Sequence, residues 1–96
     1  MAMVTVKFVV NADSNKLYIC GSTANLGSWD AKKAVELTDG TVSKKFEEGA
    51  FVEFKVLSKK AWTNVEKGFN GEEIQNHSFV ATKGQVVEVN VAKFNK

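Results

Sequence analysis

Proline and arginine are absent from this 96-residue sequence, and cysteine and histidine occur once each. With one cysteine, Cys20, the chain can form neither an internal disulfide nor a multi-cysteine metal site. One cysteine and one histidine also argue against zinc. A catalytic thiolate would need His77 as its base, so we interpret Cys20, in an apolar strand, as a small buried hydrophobe. The sequence therefore predicts no metal and no cofactor.

The basic charge is neither arginine-rich nor clustered. All 13 basic residues are lysines, and 11 acidic residues reduce the formal net charge to +2. Lysine pairs at 32–33, 44–45 and 59–60 are spread along the chain. Because nucleic-acid-binding domains usually concentrate basic residues on one face, we interpret these lysines as a mixed-charge surface and expect no nucleic-acid partner.

Long apolar segments and targeting signals are also missing. No apolar run approaches the roughly 18 residues that cross a membrane, and residues 1–4 lack the charged and apolar regions of a signal peptide. Hydrophobic residues still make up 44% of the chain, an ordinary value for a globular protein. We expect one domain over residues 1–96, monomeric and without a membrane partner.

Catalytic motifs are lacking as well: there is no Walker-type phosphate loop, no serine nucleophile elbow and no HExxH zinc motif. Carboxylate pairs occur at 47–48 and 72–73, but adjacent strand residues point to opposite faces. Glycoside hydrolysis needs two carboxylates that face each other across a sugar. The sequence thus predicts a protein that is not an enzyme.

Short β-rich runs separated by turn signals make up most of the chain. Without proline the turns depend on Gly, Asn and Asp, and Asp39-Gly40 is a strong hairpin signal between its flanking strands. Strands are predicted at 3–10, 16–20, 34–37, 42–46, 51–57, 61–66, 75–82 and 85–94. In the strand at 51–57, Val52, Phe54 and Val56 should face the core and Lys55 should point away. Since no helical period persists, we predict an all-β antiparallel sandwich of seven or eight strands.

The two tryptophans, Trp29 and Trp62, both lie among polar turn residues. One interpretation places them in the core, where tryptophan is commonly well buried. The other holds their flat faces out on loops, where they suit the apolar C–H faces of sugars while nearby polar groups bond to the hydroxyls. Position alone leaves both interpretations open.

Four motifs, in order and spacing, resemble those of the family 20 starch-binding modules. LYICGSTANLGSWD at 17–30 is similar to the family's opening strand followed by Gly-Ser and Leu-Gly-x-Trp. AVEL at 34–37 and EFKV at 53–56 are similar to its Ala-Val-x-Leu and Glu-Tyr-Lys-Phe segments. WTNVEKG, which begins at Trp62, and the GEEIQNH that follows look like the Trp…Val-Glu…Gly…Asn-Arg segment of bacterial relatives.

The resemblance, over about residues 4–94, implies a non-catalytic sandwich of immunoglobulin-like topology that binds α-1,4-glucans such as starch, glycogen and maltooligosaccharides. Trp29 and Trp62 match the two stacking tryptophans of the family's first site, and Lys55 matches its hydrogen-bonding lysine. Such modules usually accompany amylases, glucanotransferases or pullulanases. The resemblance therefore implies a covalently linked catalytic domain and an extracellular location as part of a secreted enzyme.

Other positions match the family less fully. Glu66 and Asn76 are similar to its polar residues after the second tryptophan, and His77 stands where it has arginine. Tyr18 matches one aromatic of a second site, but the partner aromatic falls near Thr41, so we expect an incomplete second site.

Two alternative functions stay open. An immunoglobulin-like spacer or docking module would pack its tryptophans internally and bind no sugar. An intracellular glycogen-sensing domain, as in the related family 48 modules, would fit the free Cys20 and the missing signal peptide.

Overall fold

The computed structural model describes residues 2–95, which contain nine β-strands. The strands are β1 (Met3–Asn11), β2 (Tyr18–Gly21), β3 (Val35–Glu36), β4 (Thr41–Glu47), β5 (Phe51–Leu57), β6 (Glu66–Lys67), β7 (His77–Val80), β8 (Val86–Asn90) and β9 (Lys93–Phe94). Three short 3₁₀ helices lie at Ala24–Leu26, Ala31–Lys33 and Trp62–Asn64, and this part of the chain has no α-helix. The predicted all-β fold is confirmed, with more strands than expected because the segment predicted at 85–94 divides into β8 and β9.

The strands form two main sheets. One has the order β4-β1-β8, the other has the order β3-β2-β5-β7, and β6 pairs separately with β9. Every pairing is antiparallel except that of β1 with β8, which is parallel. A parallel pair needs a long crossover connection, and here the chain passes through the second sheet between β1 and β8. The predicted antiparallel sandwich is confirmed apart from this pair.

Phenylalanine side chains join the two sheets across the core. Phe8 of β1 packs edge-to-face on Phe54 of β5 and on Phe79 of β7, with ring centroids 5.2 and 5.5 Å apart. Alternate residues of β1 and β5 point the same way and are buried with them: Val4, Val6, Val10, Val52 and Val56. The intervening residues of β5 therefore lie on the outer face of the second sheet, where the candidate site is found.

The turn at Asp39 and Gly40 forms as predicted, but the hairpin around it does not. Both residues have positive φ, 52° and 76°, and Thr38 bridges to Thr41. Beyond that bridge the strands separate, because β3 pairs with β2 while β4 pairs with β1. The turn thus carries the chain from one sheet to the other, and the prediction that its flanking strands pair is wrong.

The edge-to-face cluster gives a test of the core. Replacing Phe8, which is fully buried, by alanine removes contacts to both sheets and should lower the free energy of unfolding by about 3–5 kcal/mol. That is a large fraction of the roughly 5–15 kcal/mol available to a domain. Urea denaturation followed by circular dichroism measures the change.

Phe69 provides the matched control, because its side chain is 75% exposed. Phe69→Ala should alter the unfolding free energy by less than about 0.5 kcal/mol. Equal losses in the two variants would show that Phe8 is not the centre of the core.

Candidate functional site

A strained turn presents Trp29. Gly27, Ser28 and Trp29 have φ values of 91°, 49° and 64°, all in the left-handed region. That conformation costs a residue with a side chain about 1–2 kcal/mol and is uncommon for a bulky one. Hydrogen bonds hold it: the Trp29 N–H donates to the Gly21 carbonyl over 2.8 Å, and the Ser28 N–H donates to that of Thr23 over 2.9 Å. Because backbone strain of this kind clusters at functional sites, the turn itself singles out Trp29.

Small residues let this loop lie close against the outer face of β2. Cys20, Ala31 and Ala34 are buried together there. Burial, reinforced by the nearby Asp30 carboxylate, raises the pKa of the Cys20 thiol. The thiol therefore stays protonated at neutral pH, and the interpretation of Cys20 as a buried hydrophobe is confirmed.

A 3₁₀ helix positions the second tryptophan. The strand predicted over 61–66 is wrong in its first part, which forms the helix Trp62–Asn64, with the Val65 N–H bonded to the Trp62 carbonyl at 3.2 Å. From this helix the Trp62 indole N–H donates to the backbone carbonyl of Trp29 over 3.2 Å. This hydrogen bond between distant residues helps to explain why Trp62 and Thr63, which have good β-propensity, form a 3₁₀ helix instead of a strand.

The two indoles lie side by side although 33 positions separate them in the sequence. Their ring centroids are 6.1 Å apart and their planes are inclined by 42°. Trp62 is 39% exposed, whereas Trp29 is half-buried. Neither ring belongs to the phenylalanine core, so the structure brings together two aromatic faces at the surface.

An open groove of about 400 Å³ lies beside the indoles. Aromatic, aliphatic and charged side chains line it: Trp29, Lys55, Trp62, Val65, Glu66, Lys67, Glu73 and Asn76. Five of the six residues predicted as binding residues are in this set, and Tyr18 is the exception. The groove thus combines flat apolar surfaces with hydrogen-bonding groups, as small-molecule sites usually do.

Lys55 points outward from β5, as the strand alternation predicts, between the buried Phe54 and Val56. Its ammonium group donates a hydrogen bond to the carbonyl of Ile74. This contact ties the segment 68–76, between β6 and β7, to the sheet. Since an ammonium has three N–H groups, two are left for a ligand in the groove.

Glu66 forms the floor of the groove rather than its rim. Its side chain is 1% exposed, and its Oε2 accepts a hydrogen bond of 2.6 Å from the Val56 N–H. Its Oε1 lies 2.7 Å from Nε2 of His77, whose ring packs on Phe54. Both carboxylate oxygens are thus engaged within the protein.

The remaining polar residues of the groove differ in whether another side chain already binds them. Asn76 is exposed directly before β7, while Lys67 and the 90% exposed Glu73 form an ion pair of 3.2 Å at the rim. The sequence interpretation did not identify Lys67, Glu73 or the structural use of His77. Adjacency to Glu66 was no signal for Lys67, because adjacent strand residues usually point to opposite faces.

Tyr18 lies apart from the groove. It is 9% exposed, packs with the buried Cys20 and Leu57, and has the Lys60 ammonium 5.9 Å from its ring centroid. Together with Lys16, Ser58 and Lys60 it lines a separate surface depression instead of the groove. The structure therefore does not bring Tyr18 together with the other predicted site residues.

Neither a metal cluster nor a membrane helix is found in residues 2–95. That range contains no group of three or more His, Cys, Asp or Glu side chains arranged to hold a metal ion. Likewise, no helix among these residues has the length and apolar character needed to span a membrane.

The sequence matches the starch binding domain family over residues 3–90. The chain belongs to this family. The predicted family 20 resemblance is therefore confirmed, and this starch-binding domain is a non-catalytic module that binds starch. No curated protein sequence matches the domain significantly.

Solved structures share the fold of the starch-binding domain. The family 20 carbohydrate-binding module of the maltotetraose-forming amylase from Pseudomonas saccharophila has a TM-score of 0.60 and 21% identity, covering 91% of this chain and 99% of that one. The family 15 glucoamylase from Hypocrea jecorina has a TM-score of 0.77 and 19% identity, covering 95% of this chain but 17% of the enzyme. The γ-CGTase of alkalophilic Bacillus clarkii has a TM-score of 0.68 and 19% identity, and the match covers 95% of this chain but 15% of that enzyme. At these identities the likeness shows the fold alone, and the domain spans less than a fifth of either enzyme.

The strained turn of the domain gives a prediction about stability. In Ser28→Gly the left-handed backbone conformation loses its steric cost, so the free energy of unfolding should rise by up to about 1 kcal/mol. Chemical denaturation measures the gain. Ser43→Gly, on the exposed face of β4, should instead lose about 0.5–1 kcal/mol. A loss in both variants would show that the turn is unstrained.

The buried carboxylate gives a second prediction. Glu66→Ala leaves the Val56 N–H without its acceptor and should lower the free energy of unfolding by about 1–3 kcal/mol. Asn76→Ala, at an exposed position of the same groove, should leave stability within about 0.5 kcal/mol. Thermal or urea unfolding of the two variants shows whether Glu66 supports the structure of the groove or is free to contact a sugar. An unchanged unfolding free energy in Glu66→Ala would contradict the structural role.

Proposed function

We propose that the groove beside Trp29 and Trp62 is the starch-binding site of this domain. The observation that carries the proposal is the pair of surface indoles, 6.1 Å apart and inclined by 42°. Successive glucose rings of a curved α-glucan present their faces at an angle, so two inclined indoles can each stack on one ring. The cost of holding Trp29 in a left-handed conformation has no purpose in a spacer module, which supports the binding role further.

The polar lining supplies the hydrogen bonds that stacking leaves unmade. Lys55 has two N–H groups free to donate to sugar hydroxyls, and the exposed Asn76 amide can both donate and accept. Glu66 acts in this proposal mainly by fixing the groove floor. Lys67 and Glu73, ion-paired at the rim, can reach hydroxyls at the groove's edge.

The proposed contacts imply modest affinity. Two stacked rings contribute on the order of 0.5–1.5 kcal/mol each beyond area burial, by analogy with aromatic pairs. Adding a few hydrogen bonds gives about 4–6 kcal/mol in total, or a dissociation constant from tens of micromolar to millimolar. Such a module gains strength when it is tethered to a polymer with many equivalent sites.

We propose one monomeric domain, covalently linked to a catalytic domain that acts on α-glucans and located outside the cell with it. The fold match to a glucoamylase and a CGTase, each of which is much longer than this chain, supports such a linkage.

Removal of either indole tests the site. Trp29→Ala and Trp62→Ala should each lower affinity for maltoheptaose at least about tenfold. Each substitution removes the surface on which one glucose ring stacks, and it also removes the packing that the other indole receives. Isothermal titration calorimetry measures the affinity, and retardation in native gels containing amylopectin gives an independent readout. Because both tryptophans of the chain line the groove, ligand binding should also change the intrinsic fluorescence of the wild type.

Phe69→Ala is the matched control, since it removes an exposed aromatic side chain that does not line the groove. Its affinity should equal that of the wild type. Circular dichroism of every variant checks folding. Folded Trp29→Ala and Trp62→Ala proteins that bind like the wild type would refute the proposed site.

A further inference from the structure

Two large apolar side chains are exposed next to each other on the outer face of the second sheet. Phe51 of β5 is 63% exposed and Val80 of β7 is 50% exposed. They are directly opposite in the antiparallel β5–β7 ladder, so their side chains project from the same face. Single exposed apolar residues are normal, but this pair forms a small continuous patch.

The patch is continuous with the proposed binding groove. Side chains of a strand alternate between faces, so Phe51, Glu53 and Lys55 share the outer face of β5. Beside them, Ser78 of β7 is the ladder partner of Glu53. Lys55 lines the groove, and Phe51 lies four residues, or about 14 Å, further along the strand.

We propose that Phe51 and Val80 form an additional subsite for α-glucan chains that extend beyond the tryptophans. This inference rests on the proposed groove as the primary site. Along this face the tryptophan indoles come first, the polar pair Glu53 and Ser78 follows, and the Phe51 ring comes last. The glucan has the same alternation, because its rings have apolar C–H faces and hydroxyl edges, and Glu53 and Ser78 offer an acceptor and a hydroxyl to those edges.

The size of the patch favours this ligand over a protein. A stable protein interface buries about 800 Å² on each partner, whereas one phenylalanine supplies about 150–250 Å². A single sugar ring can be covered by one aromatic face and an adjacent methyl-bearing side chain. The patch is thus suited to one further ring of the chain already held in the groove.

The test compares a short and a long ligand. Calorimetric titration with maltotriose and maltoheptaose should show that the wild type binds the longer oligosaccharide more tightly. In Phe51→Ala, affinity for maltoheptaose should fall about three- to tenfold while affinity for maltotriose stays unchanged. Phe51→Tyr keeps the aromatic face and should restore the long-chain affinity.

Two valines give a matched pair for the second half of the patch. Val80→Ala should reduce maltoheptaose affinity by about twofold, the scale expected from the loss of a small, partly exposed apolar surface. Val86→Ala removes a similarly exposed valine, 60% exposed, from β8 of the other sheet, and should change neither affinity. Thermal unfolding confirms that the variants compared are equally folded.

The outcomes separate this inference from the one on which it rests. If the wild type binds neither oligosaccharide, the groove proposal and the subsite both fail. If the wild type binds both and Phe51→Ala retains full maltoheptaose affinity, the groove stands and the subsite is overturned. Equal weakening of both ligands by Phe51→Ala also overturns it, because the effect then acts through the groove.

Discussion

The buried carboxylate of Glu66 is the contact on which the candidate site depends. Its side chain, in β6, accepts the Val56 N–H of β5 and lies 2.7 Å from His77 at the start of β7. β7 begins too late to pair with Val56, so the carboxylate takes the place of the missing ladder partner. A buried charge without partners would be strongly destabilising, and these contacts therefore fix where β6 must lie. Trp62, four residues before Glu66, and Lys67, directly after it, both line the groove.

Strand alternation lets β5 serve the core and the site at once. Its inward residues, including Phe54, pack against Phe8, while Lys55 faces the groove. Packing in the core must therefore offset the free-energy cost of the site, which includes the left-handed backbone of Ser28 and Trp29. For a chain of 96 residues, a few kcal/mol of strain is a substantial share of the net stability. Its retention at Trp29 is intelligible if that orientation is needed for binding.

Sequence reasoning was effective where a local pattern determines the structure. The alternation in β5 correctly predicted which side Lys55 occupies, and Asp39-Gly40 correctly predicted a turn. It failed where distant contacts decide, as in the helix at Trp62–Asn64, which is closed onto Trp29 by a bond between residues far apart in sequence. Residue type alone also gives glutamate a strong preference for the surface, so nothing local marked Glu66 as buried.

The proximity of the tryptophans was likewise beyond local patterns, and it was implied only by the family resemblance. The structure adds that their arrangement is fixed within the protein itself. The Trp62 indole N–H bonds to the Trp29 carbonyl, which in turn belongs to a turn held by its own hydrogen bonds. A preformed angle spares the ligand the cost of ordering two large side chains, which is about 0.5–1.5 kcal/mol per immobilised group. With only a few contacts to each sugar chain, a saving of that size is comparable to one stacked ring, and a shallow groove can then bind a flexible polymer without a deep pocket.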